Sequence, residues 1–446
     1  MRIGTMVQRG GVALGITLTA LYALGMAWAF ESQSYNVWGS MLIAPLLWAA
    51  NAILIWQVGK REDDKWIVRL LGIGFAAKML GSFARYFMVF VLYDGVGDAT
   101  GYNLYAVRQY LLWRQGMFVW EPAGKIGTQN LELITTGVYT IIGPAPLAGF
   151  LVFACMAYWG CYLLYRAFRV AVPDGAHRLY AVLVFLLPSL LFWPSSIGKE
   201  AWLLLFVGVF ALAIAKFFQQ QRGAIVLLIV GVVGTALVRP HITVLLTVGV
   251  LVAQLFRPVR GEAIGLIGKA IGVAATIGAI AILATQSAEF LGIEDLNPEN
   301  VLTTIDWAGG QTMTGGSEFT PVPLSNPLGI PAAIATILFR PFPWEASSPV
   351  MFLQSAEGVF VMGLCWRQRS RLRQLLRQMR TNPYVTFAVF YALAFTLAFA
   401  GFSNFGIIAR QRTLMLPLFA VLLALPKPDE IRTQQPATDS LVSSRT

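Results

Sequence analysis

Residues 67–105 read IVRLLGIGFAAKMLGSFARYFMVFVLYDGVGDATGYNLY, and this stretch leads from a long apolar segment into a loop that holds two acids. The apolar part, residues 67–92, is long enough to cross a membrane as a helix. Three glycines in the loop allow sharp backbone turns. From Tyr102 onward the pattern is again typical of a helix, so we expect Asp98 near a helix start, where a carboxylate is favoured. A simpler interpretation is a capped loop whose acids only accept backbone hydrogen bonds.

The composition predicts a membrane protein. Of the 446 residues, 57% are hydrophobic and only 12% are charged, too few to cover a soluble globule of this size. We therefore expect an all-α polytopic membrane protein. The 33 lysines and arginines exceed the 22 acids, but they are scattered in short loops between apolar stretches, so nucleic acid is not expected as a partner. The three cysteines lie in apolar stretches without metal-ligand spacing, which predicts small buried side chains.

About twelve apolar stretches are long enough to span a membrane as helices. They cover residues 11–30, 36–57, 67–92, 146–167, 179–196, 199–217, 223–239, 241–256, 264–285, 349–366, 383–402 and 409–426. The first resembles a signal peptide, but its length and the spans that follow favour an uncleaved helix. Residues 1–426 are thus predicted to form one transmembrane catalytic domain. Residues 427–446, rich in Thr, Ser, Gln and Pro, are predicted to be a disordered cytoplasmic tail.

The basic residues of the connecting segments predict the orientation. Lysines and arginines cluster at 60–65, 166–178, 216–222, 257–260 and 367–380. All five clusters fall on one side of the predicted spans, and this side is cytoplasmic by the positive-inside rule. Both termini are then expected in the cytoplasm.

Two large loops, 93–145 and 286–348, are predicted on the outer face. Two short apolar pieces within them, 131–142 and 327–339, are predicted to be interfacial or re-entrant. The segment 309–327, rich in Gly, Thr, Ser and Pro, is either a mobile lid over a substrate cleft or a plain flexible loop. The sequence has no evident internal repeat, which disfavours a transporter built on inverted repeats.

Charged residues concentrate at the predicted outer boundary. They are Asp94, Asp98, Lys199, Glu200, Arg239, His241, Arg340, Glu345, Arg410 and Arg412. Because the positive-inside rule depletes this side of cations, the five cations among them predict an anionic ligand, for which a lipid-linked phosphate is the natural candidate. Alternatively, each cation extends to the interface or pairs with an acid. Lys78 and Arg85 share one face of the third span and are predicted to point into the bundle, Arg85 toward the phosphate.

The outer-face motif Gly97-Asp98-x-x-x-Tyr102, followed by an in-plane helix and a many-helix bundle, resembles that of the C-type polyprenyl-phosphate-dependent membrane glycosyltransferases of bacterial envelope biogenesis. Further stretches similar to envelope proteins of this kind are 192–200 (FWPSSIGKE), 239–241 (RPH) and 404–412 (NFGIIARQR). The resemblance implies a bacterial cell-membrane enzyme in which Asp98 is the general base for the acceptor hydroxyl and Asp94 its substitute or partner. Here the loop follows the third helix, whereas in many members it follows the first. This departure leaves a lipid-linked oligosaccharide polymerase or ligase open.

Sugar transfer from a lipid phosphate needs a base for the incoming hydroxyl and positive charge for the departing phosphate. We expect a polyprenyl-phosphate-linked sugar as donor, an envelope glycan or lipid as acceptor, and Asp98 and Asp94 as catalytic residues. The predicted substrate-binding residues are Arg85, Tyr102, Lys199, Glu200, Arg239, His241, Arg340, Arg410 and Arg412. No His and Cys cluster suggests a transition metal, whereas a divalent cation held by the two aspartates stays open.

Aromatic residues near the predicted site suit contacts with sugar rings, or they mark the membrane interface. They are Tyr93, Tyr102, Tyr105, Trp307 and Trp344. Two other classes of protein stay open: a flippase or transporter of lipid-linked saccharides, and a non-catalytic subunit of envelope assembly. The acids clustered in one outer loop favour an enzyme, because a flippase is expected to line a path through the membrane with polar residues and only the third span carries them.

Overall fold

A computed structural model describes residues 2–118, 126–257, 263–291, 316–323, 326 and 328–427, and these ranges are helical with no β-strand. The first twelve helices are α1 (Arg2–Ser32), α2 (Tyr35–Gly59), α3 (Lys65–Phe87), α4 (Asp98–Arg114), α5 (Ile126–Ile142), α6 (Pro146–Ala171), α7 (His177–Leu186), α8 (Pro188–Phe192), α9 (Lys199–Phe218), α10 (Ala224–Ala236), α11 (Pro240–Phe256) and α12 (Ala263–Leu291). The others are α13 (Gly329–Phe339), α14 (Pro349–Arg367), α15 (Arg369–Leu372), α16 (Leu375–Thr381), α17 (Pro383–Ala398), α18 (Phe405–Gln411) and α19 (Leu416–Leu423). The predicted all-α fold is confirmed for the described ranges.

Within these ranges, six helices are long and apolar enough to cross a membrane. They are Tyr35–Gly59, Lys65–Leu92, Pro146–Ala171, Lys199–Phe218, Leu266–Thr285 and Pro349–Arg367. The helical segment Phe405–Leu414, which is α18 with the turn that follows it, is bent by 65° relative to α19. If these two helices count as one span, the described ranges contain seven. These helices are consistent with a membrane-associated protein. The predicted number of about twelve spans is not confirmed.

Some predicted spans are interrupted or contain only a short helix, which accounts for part of the difference in number. The predicted span 179–196 is divided into α7 and α8 at Leu187, which has ψ 128° and precedes Pro188. A proline disfavours the helical conformation of the residue before it, so the helix ends there. Five further apolar helices, α7, α10, α11, α13 and α17, have only 10–17 residues. The length of the apolar stretches alone therefore overestimates the number of continuous helices that are long enough to cross a membrane.

The centre of the bundle is formed by α6 and α9, which approach each other closely at glycines. A Cβ atom placed on Gly160 would lie 2.4 Å from the carbonyl oxygen of Leu204, and one on Gly208 would lie 2.4 Å from the carbonyl oxygen of Gly160. No side chain fits at either position without displacing backbone. Small residues of this kind allow tight helix contacts inside membranes.

The two ends of the bundle carry different sets of polar contacts. At one end, Arg169 pairs with Glu62, and Arg178 Nε lies 2.7 Å from Asp64 Oδ2. At the same end the side chain of Asn382 donates to the carbonyl oxygen of Ala171 over 2.7 Å. This end gathers segments predicted to be cytoplasmic. The opposite end contains α4, α5 and the start of α9, and the predicted outer residues lie there. Which of the two ends faces the cytoplasm stays a prediction.

Of the two large loops, the structure describes the parts that contain α4, α5 and α13. The two pieces predicted to be interfacial or re-entrant correspond to residues 131–142 of α5 and to α13. The last residue of α13, Phe339, lies beside Gly358 in the middle of α14. Trp307, most of the predicted lid and the predicted tail after residue 427 lie outside the described residues.

Candidate functional site

The loop between α3 and α4 places Asp98 as the first residue of α4, as the sequence predicts. A π-helical turn, Met88–Leu92, extends α3 into this loop. The chain then turns through Gly95 with φ 77° and Gly97 with φ 145°, backbone conformations that favour glycine. The carboxylate of Asp98 therefore lies at the positive end of a helix dipole.

Asp98 begins a chain of four charged side chains. Arg410 Nη2 donates to Asp98 Oδ2 over 2.8 Å, and Arg410 Nε donates to Glu200 Oε1 over 2.8 Å. The same oxygen of Glu200 accepts a hydrogen bond of 3.0 Å from Arg239 Nη2. Arg239 also donates to the side chain of Gln411. The structure thus brings together residues from four elements that the sequence placed separately at one predicted face.

One end of this chain, Arg239 and Glu200, is buried, and the other end, Arg410 and Asp98, is more exposed. The side chains of Glu200 and Arg239 are 5% and 9% exposed, whereas those of Arg410 and Asp98 are 26% and 56% exposed. The buried charges are held by well-made hydrogen bonds, which buried ions require. Arg410 and Asp98 can exchange partners at a lower cost in free energy because water already solvates them in part. Arg410 is the residue that joins the two ends.

A cavity of about 450 Å³ opens beside the charged chain, a volume that suits a small-molecule ligand. Its charged lining consists of Arg85, Asp98, Glu200 and Arg410. Tyr102 and Trp193 add aromatic surface to the wall. Burial and the nearby Asp98 carboxylate raise the pKa of Tyr102 above its ordinary value, so its hydroxyl is protonated at neutral pH.

Arg85 contributes a cation to the cavity wall that forms no ion pair with a described acid. Its guanidinium carbon lies 4.8 Å from the ring centre of Trp193 and 5.3 Å from that of Phe192. These cation–π contacts hold the side chain in place. Among the described residues no carboxylate oxygen lies within 4.0 Å of it, and its Nε is buried without a hydrogen-bond partner. Lys78, on the same helix, instead donates to the carbonyl oxygen of Leu190 over 2.6 Å.

Four predicted site residues lie outside the cavity lining at this end of the bundle. Arg239 lies behind Glu200, and Lys199 Nζ donates to Thr128 Oγ1 over 3.0 Å. The ring of His241 faces Phe399, with ring centres 6.4 Å apart. Asp94 is exposed in the loop before α4 with φ 46°. The cavity itself therefore uses only part of the predicted set.

Arg340 and Arg412, also predicted to bind substrate, form a second group of contacts behind the cavity wall. Arg340 forms an ion pair with Glu345, and its guanidinium carbon lies 4.3 Å from the ring centre of Phe319. Arg412 is 1% exposed and donates to the carbonyl oxygen of Arg340 over 3.1 Å. Its Nη2 lies 3.4 Å from Glu357 Oε1. In this structure both arginines stabilise protein contacts.

Two polar residues of α14 went unnoticed in the sequence. Glu357 is buried, and its two oxygens accept hydrogen bonds of 2.5 Å from the amide and the hydroxyl of Ser189. Gln354, one turn earlier on α14, lines the cavity. A lone acid inside a predicted span is expensive and marks a site by default, so Glu357 carried a usable signal. Gln354 carried none, because glutamines occur in many apolar helices.

Among the described residues, no three His, Cys, Asp or Glu side chains come together in a group that could hold a metal ion. The divalent cation between Asp94 and Asp98 stays a prediction. No family model, curated protein or solved structure matches this chain.

Proposed function

We propose that the protein is a membrane glycosyltransferase that moves a sugar from a polyprenyl-phosphate donor to the hydroxyl group of an envelope glycan or lipid. The observation that carries the proposal is Arg85, a cation in a cavity wall without a described acid partner, beside the exposed carboxylate of Asp98. Arg85, Arg239 and Arg410 bring three positive charges to this region against the two carboxylates of Asp98 and Glu200. The excess of positive charge suits one phosphate.

In the proposed reaction, Asp98 accepts the proton of the acceptor hydroxyl while that oxygen attacks the anomeric carbon of the donor sugar. The bond between this carbon and the phosphate oxygen breaks, and polyprenyl phosphate leaves with the electron pair. Arg85 and Arg410 stabilise the negative charge that grows on the leaving oxygen. Glu200 holds Arg410, and Arg239 completes the charge balance of Glu200.

Arg410 connects donor binding to the activation of the base. Its Nη2 donates a hydrogen bond to Asp98. A donor phosphate that takes over this nitrogen releases an oxygen of Asp98, which can then accept a proton. Glu200 keeps the guanidinium in place during the exchange because it binds a different nitrogen, Nε.

A flippase of lipid-linked saccharides is the second candidate, and one observation favours it. Glu357 and Arg412, which are 2% and 1% exposed, form an ion pair inside the bundle, and Glu357 lies one helical turn from the cavity residue Gln354. Charged groups at such depth are typical of transport paths. The glycosyltransferase is preferred because Ser189 binds both oxygens of Glu357 and neither residue of the pair lines the cavity.

The proposal is tested with the purified protein in lipid nanodiscs. Binding of polyprenyl phosphate is compared with that of the same polyprenol without phosphate, and release of polyprenyl phosphate is then followed with a panel of hexosyl and pentosyl donors. We expect a clear preference for the phosphate, and Arg85→Ala should weaken it at least tenfold, a loss of about 1.4 kcal/mol.

Arg178→Ala is the matched control, because Arg178 is an exposed arginine at the opposite end of the bundle. It should bind like the unchanged protein. Equal affinity for polyprenol and polyprenyl phosphate would contradict the proposal. Phosphate binding together with lipid translocation, but without sugar release, would support the flippase.

A further inference from the structure

The cavity has two chemically different walls. The wall described above carries Arg85, Asp98, Glu200 and Arg410, whereas the remaining lining brings uncharged amide and hydroxyl groups from the start of α14, the start of α18 and the segment before Phe319. These groups belong to Gln354, Ser348, Asn404 and Ser317, and apolar Val350, Met351 and Ile407 lie among them. This second set of residues is called the neutral wall.

Gln354 gives the neutral wall an unused hydrogen-bonding group. The residue is only 5% exposed, and its Oε1 is buried with no hydrogen-bond partner among the described residues. A buried amide oxygen without a partner costs about 1–3 kcal/mol, so such groups occur where a ligand or water completes them. Gln354 is thus the residue of the neutral wall that both lines the cavity and has a buried polar atom without a partner among the described residues.

The neutral wall is also rigid. Ser317 Oγ donates to Asn404 Oδ1 over 2.9 Å, and the amide of Phe405 donates to the carbonyl oxygen of Ser317 over 2.9 Å. The rings of Phe319 and Phe405 stack with centres 4.3 Å apart, and Arg340 lies over both. Rigid supports of this kind hold a binding group in position. Arg340 thus supports the wall from behind.

We propose that the neutral wall binds the sugar ring of the donor, with Gln354 accepting a hydrogen bond from one of its hydroxyl groups. The inference rests on the proposed function, because it takes the phosphate to lie at Arg85 and Arg410. Amide and hydroxyl side chains match the paired donor and acceptor of each sugar hydroxyl. Val350 and Met351 suit the C–H face of the ring. A charged group would lose its hydration here without gaining a counter-charge.

The test compares the affinities of two ligands in nanodiscs, a polyprenyl-phosphate sugar and sugar-free polyprenyl phosphate. Donors carrying glucose, mannose and arabinose are the probes. At least one donor should bind the unchanged protein tenfold or more tightly than sugar-free polyprenyl phosphate. Gln354→Leu removes the amide at similar size, and it should abolish this tenfold preference while the affinity for sugar-free polyprenyl phosphate is unchanged.

The retained phosphate affinity shows that the Gln354→Leu protein is folded, and Gln354→Asn, a milder change, replaces it if that affinity is lost. Arg85→Ala should show the converse result, weaker binding of both ligands. If no donor binds more tightly than polyprenyl phosphate, or if both Gln354 variants keep the preference, the sugar site is overturned while the phosphate site stands. If the unchanged protein binds neither ligand, the proposed function fails as well.

Discussion

Two buried carboxylates, Glu200 and Glu357, each bind an arginine from the short segment around α18, yet only one of these ion pairs reaches a cavity. Glu200 holds Arg410, which is 26% exposed and also contacts the exposed Asp98. Glu357 holds Arg412, which is 1% exposed, and accepts two further hydrogen bonds from Ser189. The first pair borders the cavity, whereas the second is buried away from it, with Arg412 Nε left without a hydrogen-bond partner among the described residues.

Helix geometry explains why neighbouring arginines differ so much. Residues two positions apart on a helix point roughly 200° away from each other. Arg410 therefore faces the cavity between α3, α4 and α9, while Arg412 faces α14. The comparison teaches that residue type alone does not separate an arginine that lines a cavity from one that is buried in the bundle. The exposure of the arginine side chain does, 26% for Arg410 against 1% for Arg412.

The largest effect is expected at Asp98, the exposed carboxylate that Arg410 also binds. Asp98→Asn keeps the size and most hydrogen bonds of the side chain but removes its basicity, so turnover should fall by about 10² to 10⁴. Binding of polyprenyl phosphate should persist, because the arginines are unchanged. Sugar release and phosphate binding are measured on the same preparation. Near-normal transfer would remove Asp98 from the mechanism.

Asp94→Asn is the comparison variant for Asp98→Asn, because Asp94 lies in the same loop but outside the cavity lining. It should cost less turnover. A divalent cation held by both aspartates predicts a different pattern, in which both substitutions abolish transfer and a chelator reproduces the loss.

The next effect concerns stability and separates the buried Glu357–Arg412 pair from the exposed Asp98–Arg410 pair. Glu357→Gln leaves Arg412 buried without a counter-charge, which should lower the free energy of unfolding by about 3–5 kcal/mol. Asp98→Asn should cost less, because Asp98 is 56% exposed and Arg410 keeps its hydrogen bond to Glu200. Thermal and denaturant unfolding in nanodiscs measure the difference. Equal losses for both variants would show that the two pairs do not differ.

The smallest effect is expected when the arginines are replaced by lysine. Arg410→Lys keeps the charge but cannot bind Asp98 and Glu200 through two nitrogens, so polyprenyl phosphate should bind about tenfold more weakly, a loss of about 1.4 kcal/mol. Arg412→Lys should leave this affinity unchanged in folded protein. A reversal, with Arg412→Lys the weaker binder, would move the ligand to the second pair.

Local features of the site could be predicted from the sequence. Asp98 begins α4 as expected, because glycine content and helix pattern act over a few residues. Counting basic clusters also placed Glu200, Arg239 and Arg410 at one face, where the structure brings them into contact. The partners of Lys78 could not be predicted, because its carbonyl acceptor lies 112 residues further along the chain.

The sequence by itself determined the helical, apolar character of the chain and the turn before Asp98, since hydrophobicity and backbone freedom are properties of short stretches. Only the tertiary structure decided which cations face a cavity. Arg410 and Asp98 are 312 positions apart, and Arg412 and Glu357 are 55 apart. Such pairs depend on the rotation of each helix about its axis and on the breaks at Pro188 and Met415, which packing of the whole bundle determines.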